Sequence, residues 1–307
     1  MNLSIVTTLY FSSPYVLEFY QRISVEAKKI TSDYEIIFVN DGSPDDSLDV
    51  ALSLYEQDKR VRIIDLSRNF GHHKAIMTGL SYTRGELVFL LDSDLEEEPE
   101  LLSLFYEFYK KTKDIDVVYG VQKVRKGNFL ERLTGEIFYS IFNSISNYPV
   151  TANLITARLM SQRYVKALVE HREREIFLAG LFAIAGFRQI PLLVRKDSKN
   201  RSTYTLVRKL TLAINSITSF SNKPLIFIFY LGALISLLSG ITAIIFIVRK
   251  IFFNVILEGW SSLIISIWLL GGLTIFCLGV IGIYLSKIFS ETKQRPYTII
   301  RQIYEKQ

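Results

Sequence analysis

Two regimes of hydrophobic patterning divide the 307 residues. In the first, short apolar runs recur: LSIVTT (3–8), EIIFV (35–39), VRIIDL (61–66), ELVFLL (86–91) and DVVYGV (116–121). Each is brief, rich in Val, Ile, Leu and Phe, and bounded by polar residues, which is the pattern of a buried strand. Between them, Ser47–Gln57 and His72–Thr83 carry apolar residues at helical spacing. Strands alternating with helices predict an α/β fold, a mostly parallel sheet covered on both faces. No repeat of fixed period and no low-complexity tract interrupts it.

The second regime is uniformly apolar. Leu225–Val248 and Trp260–Leu285 contain no charged residue. Each exceeds the ~20 residues that span a bilayer as helix. They account for a mean hydropathy of +0.24, high for a chain that also carries a charged first half. Met1–Thr8 reads as a strand, so no signal peptide is expected there.

Charge then orients the spans. Arg195, Lys196, Lys199, Arg201, Arg208, Lys209 and Lys223 face a single acid, Asp197, ahead of the first span. Lys287, Lys293, Arg295, Arg301 and Lys306 follow the second, whereas the connection offers only Arg249 and Lys250. The positive-inside rule therefore predicts both ends in the cytoplasm and a short external connection. The expected organisation is a cytoplasmic catalytic domain (1–203), an amphipathic helix lying in the membrane interface (204–223), two transmembrane helices (224–286) and a cytoplasmic tail (287–307), placed in the inner (plasma) membrane. The net charge of +6 is mostly juxtamembrane and suits anionic lipid, not nucleic acid. Cys277 is the sole cysteine and falls in the second span, so disulfides play no part. Phe129–Ile145 has helical apolar spacing of its own. Gly232, Ser236 and Gly240 recur every fourth residue, a close-packing face for the other span or for a second subunit in a homo-oligomer.

The candidate chemistry sits at the ends of the strands, where ligands bind on sheets of this kind. The run LVFLLDSDLEEEPE (87–100) passes from strand into a knot of carboxylates. Packed acids repel one another, so a missing cation is implied. Asp92 and Asp94 flank Ser93, and their oxygens suit a hard Mg²⁺ or Mn²⁺ whose shell is completed by substrate phosphates. Glu96 is a third candidate, while Glu97 and Glu98 read as a solvated acidic loop. The second strand runs into Asp41-Gly42-Ser43, a turn signal whose aspartate is placed to accept hydrogen bonds from a nucleobase or ribose. Gly71, in SRNFGHHKAI, lets backbone approach a ligand, and the adjacent His72 and His73 diverge on a helix and make a poor metal pair.

VNDGS, SRNFGHHKAI and DSDLEEEPE resemble the nucleotide-sugar domain of family-2 glycosyltransferases, a GT-A-type fold. RLMSQRYVKAL, FLAGLFAIAGFRQIP, STYTLVRKL and ITSFSNKPL, followed by two spans, are similar to the polyisoprenyl-phosphate glycosyltransferases of that family. The resemblance covers nearly the whole chain in order. It implies that Asp92 and Asp94 hold the metal with the donor diphosphate, and that Thr8, Tyr10, Asp41, Gly71, His72 and Ser93 line the nucleotide, with a UDP-sugar as donor. It also implies that a sugar passes to a polyprenyl (undecaprenyl) phosphate, with inversion.

The chain departs from the family in three places, one of them near the loop before STYTL, where Asp197 and Asn200 stand in place of a usual arginine and glycine. Tyr10-Phe11-Ser12 stands where Tyr-Asn-Glu is usual, and Asn153 stands near a usual aspartate, so no carboxylate is available there as a base. A sugar hydroxyl acceptor needs a positioned base. A lipid phosphate, with a second pKa near ~6, is already a nucleophilic anion at neutral pH. It needs positive charge instead, for which Arg125, Arg158, Arg195, Lys196, Lys199 and Arg201 are candidates, with Asn153 beside them. Arg158 ranks first, because an idle charge inside the apolar ITARLM would be costly. Alternative readings are a transferase acting on a sugar hydroxyl, disfavoured by the absence of a Gln-x-x-Arg-Trp motif, and a catalytically silent scaffold or lipid-carrier binding protein.

Overall fold

Backbone amides of short apolar runs have nowhere to go but a neighbouring strand, and the first half of the chain resolves accordingly. The computed structural model describes residues 1–122, 140, 143–144, 151, 153–174, 176–194, 214, 217–219, 221–253 and 259–306. The strands are β1 (Leu3–Leu9), β2 (Tyr34–Asn40), β3 (Val61–Leu66), β4 (Leu87–Leu90), β5 (Val117–Gln122), β6 (Leu154–Ser161), β7 (Gln189–Val194) and β8 (Ile300–Tyr304). They form one eight-stranded sheet in the order β7-β5-β6-β4-β1-β2-β3-β8. The centre, β4-β1-β2-β3, is parallel, as is β5 with β7. The pairings β4–β6, β5–β6 and β3–β8 are antiparallel.

Strands β1, β2 and β3 are buried along their full length, which is why they read as continuous apolar runs and not as alternation. Helices α1 (Ser13–Ile30), α2 (Ser47–Gln57), α3 (His72–Ser81) and α4 (Leu101–Lys111) connect them, and α5 (Gln162–Val169) and α6 (Leu178–Ile184) follow β6. Val16, Phe19 and Ile23 of α1 and Phe105 of α4 are fully buried in one core with Phe38 and Phe89. Each such side chain contributes roughly 1.5–3 kcal/mol on burial. The mixed α/β class expected from the sequence is thus the observed one. The sequence pattern did not announce β6, β7 or β8.

Two compact units divide the chain. The first comprises 1–143, 148–206 and 295–307; the second comprises 144–147 and 207–294. The second unit holds α7 (Lys223–Phe253) and α8 (Trp260–Thr292). Within them, Lys223–Thr242 and Ser266–Thr292 have mean hydropathies of 2.2 and 2.1, and neither is buried by protein. Both are long and apolar enough to cross a membrane. The expected interfacial helix (204–223) and the Phe129–Ile145 segment fall mostly outside the described residues.

The first unit owns the C-terminal segment. After α8 the chain returns and lays β8 against β3 at the sheet edge. Thr298 hydrogen-bonds Thr78 of α3 at 2.8 Å, and Glu305 pairs with Arg62 at 3.0 Å and Arg84 at 2.8 Å.

Candidate active site

Parallel strands aim their carboxyl ends in one direction, so the segments after β1, β2, β3 and β4 gather along one edge of the sheet. Asp92 follows β4. The antiparallel register of β4 with β6 pairs Leu90 with Arg158, and two residues further along it sets Asp92 opposite Thr156. Thr156 Oγ1 accordingly donates to Asp92 Oδ2 at 2.7 Å. On the other side, His72 Nε2 lies 3.3 Å from Asp92 Oδ1, and His72 Nδ1 lies 3.1 Å from Thr8 Oγ1 at the end of β1. The carboxylate after β4 is therefore held from β6 and α3, with β1 steadying His72. Ser93 donates to the carbonyl of Thr8 at 2.8 Å and stands 3.1 Å from Ser12 Oγ. Asp94 Oδ1 accepts from the backbone N–H of Glu96 at 2.9 Å, so Glu96 shapes the loop through its amide.

Among the described residues no three His, Cys, Asp or Glu side chains converge as a metal set. Two hard carboxylates at a crevice nonetheless fit a divalent ion that takes its remaining oxygens from a diphosphate and water. Asp92 and Asp94 are both part-buried.

Asp41 has a different immediate task. Its carboxylate is buried and accepts the amides of Phe70 at 2.7 Å and Gly71 at 3.0 Å, so it joins the loops after β2 and β3. Burial pushes its pKa up, and the two amides work against that shift. Gly71 has φ of +104°, a conformation that side-chain-bearing residues rarely adopt, and a Cβ there would meet nothing within 4 Å. The backbone is therefore open to a ligand at that point. Gly42, at φ +59°, is required for the opposite reason: a Cβ would come within 2.4 Å of the Arg68 backbone. Tyr10 and Phe11 are exposed and meet edge to face, their ring centroids 4.9 Å apart. Phe11 holds φ of +54°, and its amide donates to Ser43 Oγ at 2.8 Å.

Arg158 lies on the face of β6 that also carries Thr156, because residues two apart on a strand share a face. It is buried, with its guanidinium 3.3 Å from the centroid of Phe182 and 5.8 Å from that of Tyr119. Burial pulls its pKa down to about 10, with Tyr164, Tyr119 and Glu97 opposing the shift, so it stays cationic at neutral pH. It walls two cavities. One, of about 300 Å³, is also lined by Tyr119, Thr151, Phe182 and Phe187. The other, of about 180 Å³, is lined by His72, His73, Glu97 and Thr156 and so adjoins Asp92. Asn153, at φ +60°, immediately precedes β6 and accepts the amide of Gln122 through its carbonyl. Arg125, Arg195, Lys196, Lys199 and Arg201 lie outside the described residues.

Two residues central to this geometry escape a sequence reading. Thr156 has no motif around it, and its role appears only with the β4–β6 register. Glu97 was expected in a solvated acidic loop, and the structure corrects that. It is fully buried and accepts the amides of Thr156 at 3.1 Å and Ala157 at 2.7 Å. Its carboxylate anchors the start of β6 beneath the site.

Carboxylates gathered at the ends of parallel strands, beside a glycine-opened backbone, are the arrangement of a sugar-nucleotide transferase domain. The glycosyl transferase family 2 profile matches residues 4–169, and the protein belongs to that family. A Mycobacterium tuberculosis protein with a provisional glycosyltransferase name is 55% identical over 304 residues, spanning 99% of this chain and 89% of its own. The prophage bactoprenol glucosyl transferase homolog of Escherichia coli K12 is 30% identical over 305 residues, 99% of each chain. Bactoprenol glucosyl transferase of Shigella phage SfX is 29% identical over 303 residues, 98% of this chain and 99% of that one. These relatives bear out the resemblance set out from the motifs. Among solved structures, the chain is similar to mannosyl-3-phosphoglycerate synthase of Rubrobacter xylanophilus, with a TM-score of 0.49 and 17% identity over 71% of this chain and 73% of that one.

Proposed function

We propose that this glycosyltransferase moves one sugar from a UDP-sugar to a polyprenyl phosphate at the cytoplasmic face of the inner (plasma) membrane, inverting the anomeric carbon. The observation that carries the reading is Asp92, held between His72 and Thr156, two residues that line a cavity walled by Arg158, with Asp94 two residues further along the chain. The relatives named for bactoprenol glucosyl transfer support the acceptor class.

In this reading Thr8, Tyr10, Asp41, Gly71, His72 and Ser93 line the donor. Asp92 and Asp94 hold Mg²⁺ or Mn²⁺, with Glu96 behind them; the bound ion would neutralise the charge gathering on the diphosphate as it leaves. A phosphate oxygen of the lipid attacks the anomeric carbon, the bond to the nucleotide diphosphate breaks, and its electron pair leaves with UDP. No proton moves, so the lack of a carboxylate at Asn153 costs nothing. Arg158 supplies fixed positive charge beneath the attacking phosphate, with Asn153, Arg125, Arg195, Lys196, Lys199 and Arg201 proposed around it. A guanidinium grips phosphate in two-pronged fashion where an ammonium cannot.

Full-length protein in detergent, given undecaprenyl phosphate and a panel of nucleotide sugars, should form a lipid-phosphate sugar of inverted anomeric configuration. Its rate should decline as pH falls below the acceptor's second pKa of roughly 6. Transfer only to sugar hydroxyls, or none with any donor, refutes the reading.

The tail supports the membrane arrangement. If the two apolar helices each cross a bilayer, a chain that leaves the catalytic unit, passes through both and contributes β8 to the same sheet would keep both ends on one side. The basic flanks favour the cytoplasmic side. In a Cys277→Ser background, a cysteine placed at Asn254 should react with an impermeant thiol reagent added to intact cells, and one at Ser43 only after lysis. The reverse pattern would overturn the orientation.

A further inference from the structure

The strand β8 is irregular where it passes the donor loops. Asp65 pairs with Gln302 but Leu66 pairs with Ile300, so Arg301 is the extra residue of a bulge. Bulges re-aim a side chain, and they recur beside active sites. Here the guanidinium turns onto β3. Its Nη1 lies 3.2 Å from Asp65 Oδ2, and its Nη2 donates to the carbonyl of Ser67 at 2.9 Å.

Asp65 is buried, while Arg301 remains more than half exposed. The other carboxylate oxygen, Oδ1, accepts Asn40 Nδ2 at 2.8 Å. An ionised carboxylate only accepts, so it dictates which end of the Asn40 amide faces it. Nδ2 points to Asp65, leaving Oδ1 to accept the amide of Ser43 at 3.1 Å. Ser43 Oγ in turn accepts the amide of Phe11. Arg301 thus sits at the root of both loops that Asp41 ties together, reaching the first through Asp65 and Asn40 and the second through Ser67.

We propose that Arg301 is a positioning residue for donor binding, supplied to the catalytic unit by the segment that follows the membrane helices. It fixes Asp65, Asp65 fixes the Asn40 amide, and the amide fixes the Asp41–Ser43 turn against Phe11. The proposal rests on the donor lying along these loops, as read above. It predicts that loss of Arg301 weakens nucleotide binding and leaves turnover at saturating donor nearly intact.

The test uses full-length protein in detergent with Mn²⁺, titrated calorimetrically with UDP, GDP and TDP, together with donor KM and kcat. Arg301→Gln should weaken the nucleotide that wild type binds, and raise donor KM, by roughly tenfold, within the range of residues that act through a network. Arg301→Lys should recover part of this, because it keeps the charge and loses the second prong. Asp65→Asn should match Arg301→Gln, and the double variant should be no worse than either. Glu305→Gln loosens the other end of the same strand from Arg62 and Arg84, and should leave donor KM unchanged even where it lowers thermal stability. If wild type binds nucleotide and Arg301→Gln binds it equally well, the relay is overturned and the donor reading stands. Equal weakening by Glu305→Gln also overturns it, since the strand would then matter only as a brace. If wild type binds none of the three, both readings fall.

Discussion

Changing Asp92 or Asp94 to asparagine is expected to reduce sugar transfer by roughly 10²- to 10³-fold, the scale of losing several kcal/mol of charge stabilisation in the transition state. Each change keeps the shape of the side chain and removes its charge. In Asp92→Asn the Thr156 hydroxyl can still donate to the oxygen that the new amide retains, so β6 stays in place and the fold should hold. Initial rates at saturating donor, beside a thermal melt, separate lost chemistry from lost structure. EDTA should abolish wild-type activity and Mn²⁺ should restore it, and Glu98→Gln, at an exposed position, should change little. Undiminished turnover in EDTA would falsify the metal assignment.

Glu97→Gln should be damaging by another route. The carboxylate receives two backbone amides of β6, one on each oxygen. A glutamine offers one acceptor, and its NH₂ must face an amide that also donates. Leaving a buried donor unmet costs about 1–3 kcal/mol, and the charge opposing the burial of Arg158 disappears with it. A lower melting temperature should therefore accompany a lower rate, because Thr156, which orients Asp92, sits on the displaced strand. Equal stability of Glu97→Gln and Glu98→Gln would show that the amides find other partners.

These three carboxylates also mark how far the sequence could be read. Asp92 and Asp94 were legible because they end an apolar run, and a strand end on a parallel sheet is a place with chemical meaning. Glu97 was not, because three consecutive glutamates look alike in one dimension and only packing distinguishes the buried one from its neighbours. The strands β1 to β5 were legible as dense apolar runs. β6 was obscured by Thr156 and Arg158, the polar residues it brings to the site. β8 was obscured because IRQIY covers a sheet edge, where one side of the strand meets water and the hydrophobic signal is halved. The pairing of Arg301 with Asp65 crosses both apolar helices and has no local signature at all.

The position of β8 also sets a constraint on biogenesis. Ser67 and Arg301, which meet across the β3–β8 edge, are 234 residues apart in sequence. While the chain is being synthesised, β3 is the outermost strand on its side of the sheet, and its outer edge stays unpaired until both apolar helices have been made. An open strand edge is a site for pairing with other chains, and contacts this distant in sequence form late. Under the proposed topology, a chain that inserted only one helix would leave its last strand on the far side of the bilayer. Under that topology, completion of the sheet would be a built-in check on membrane insertion: only a protein that had crossed and returned could cap its own catalytic domain.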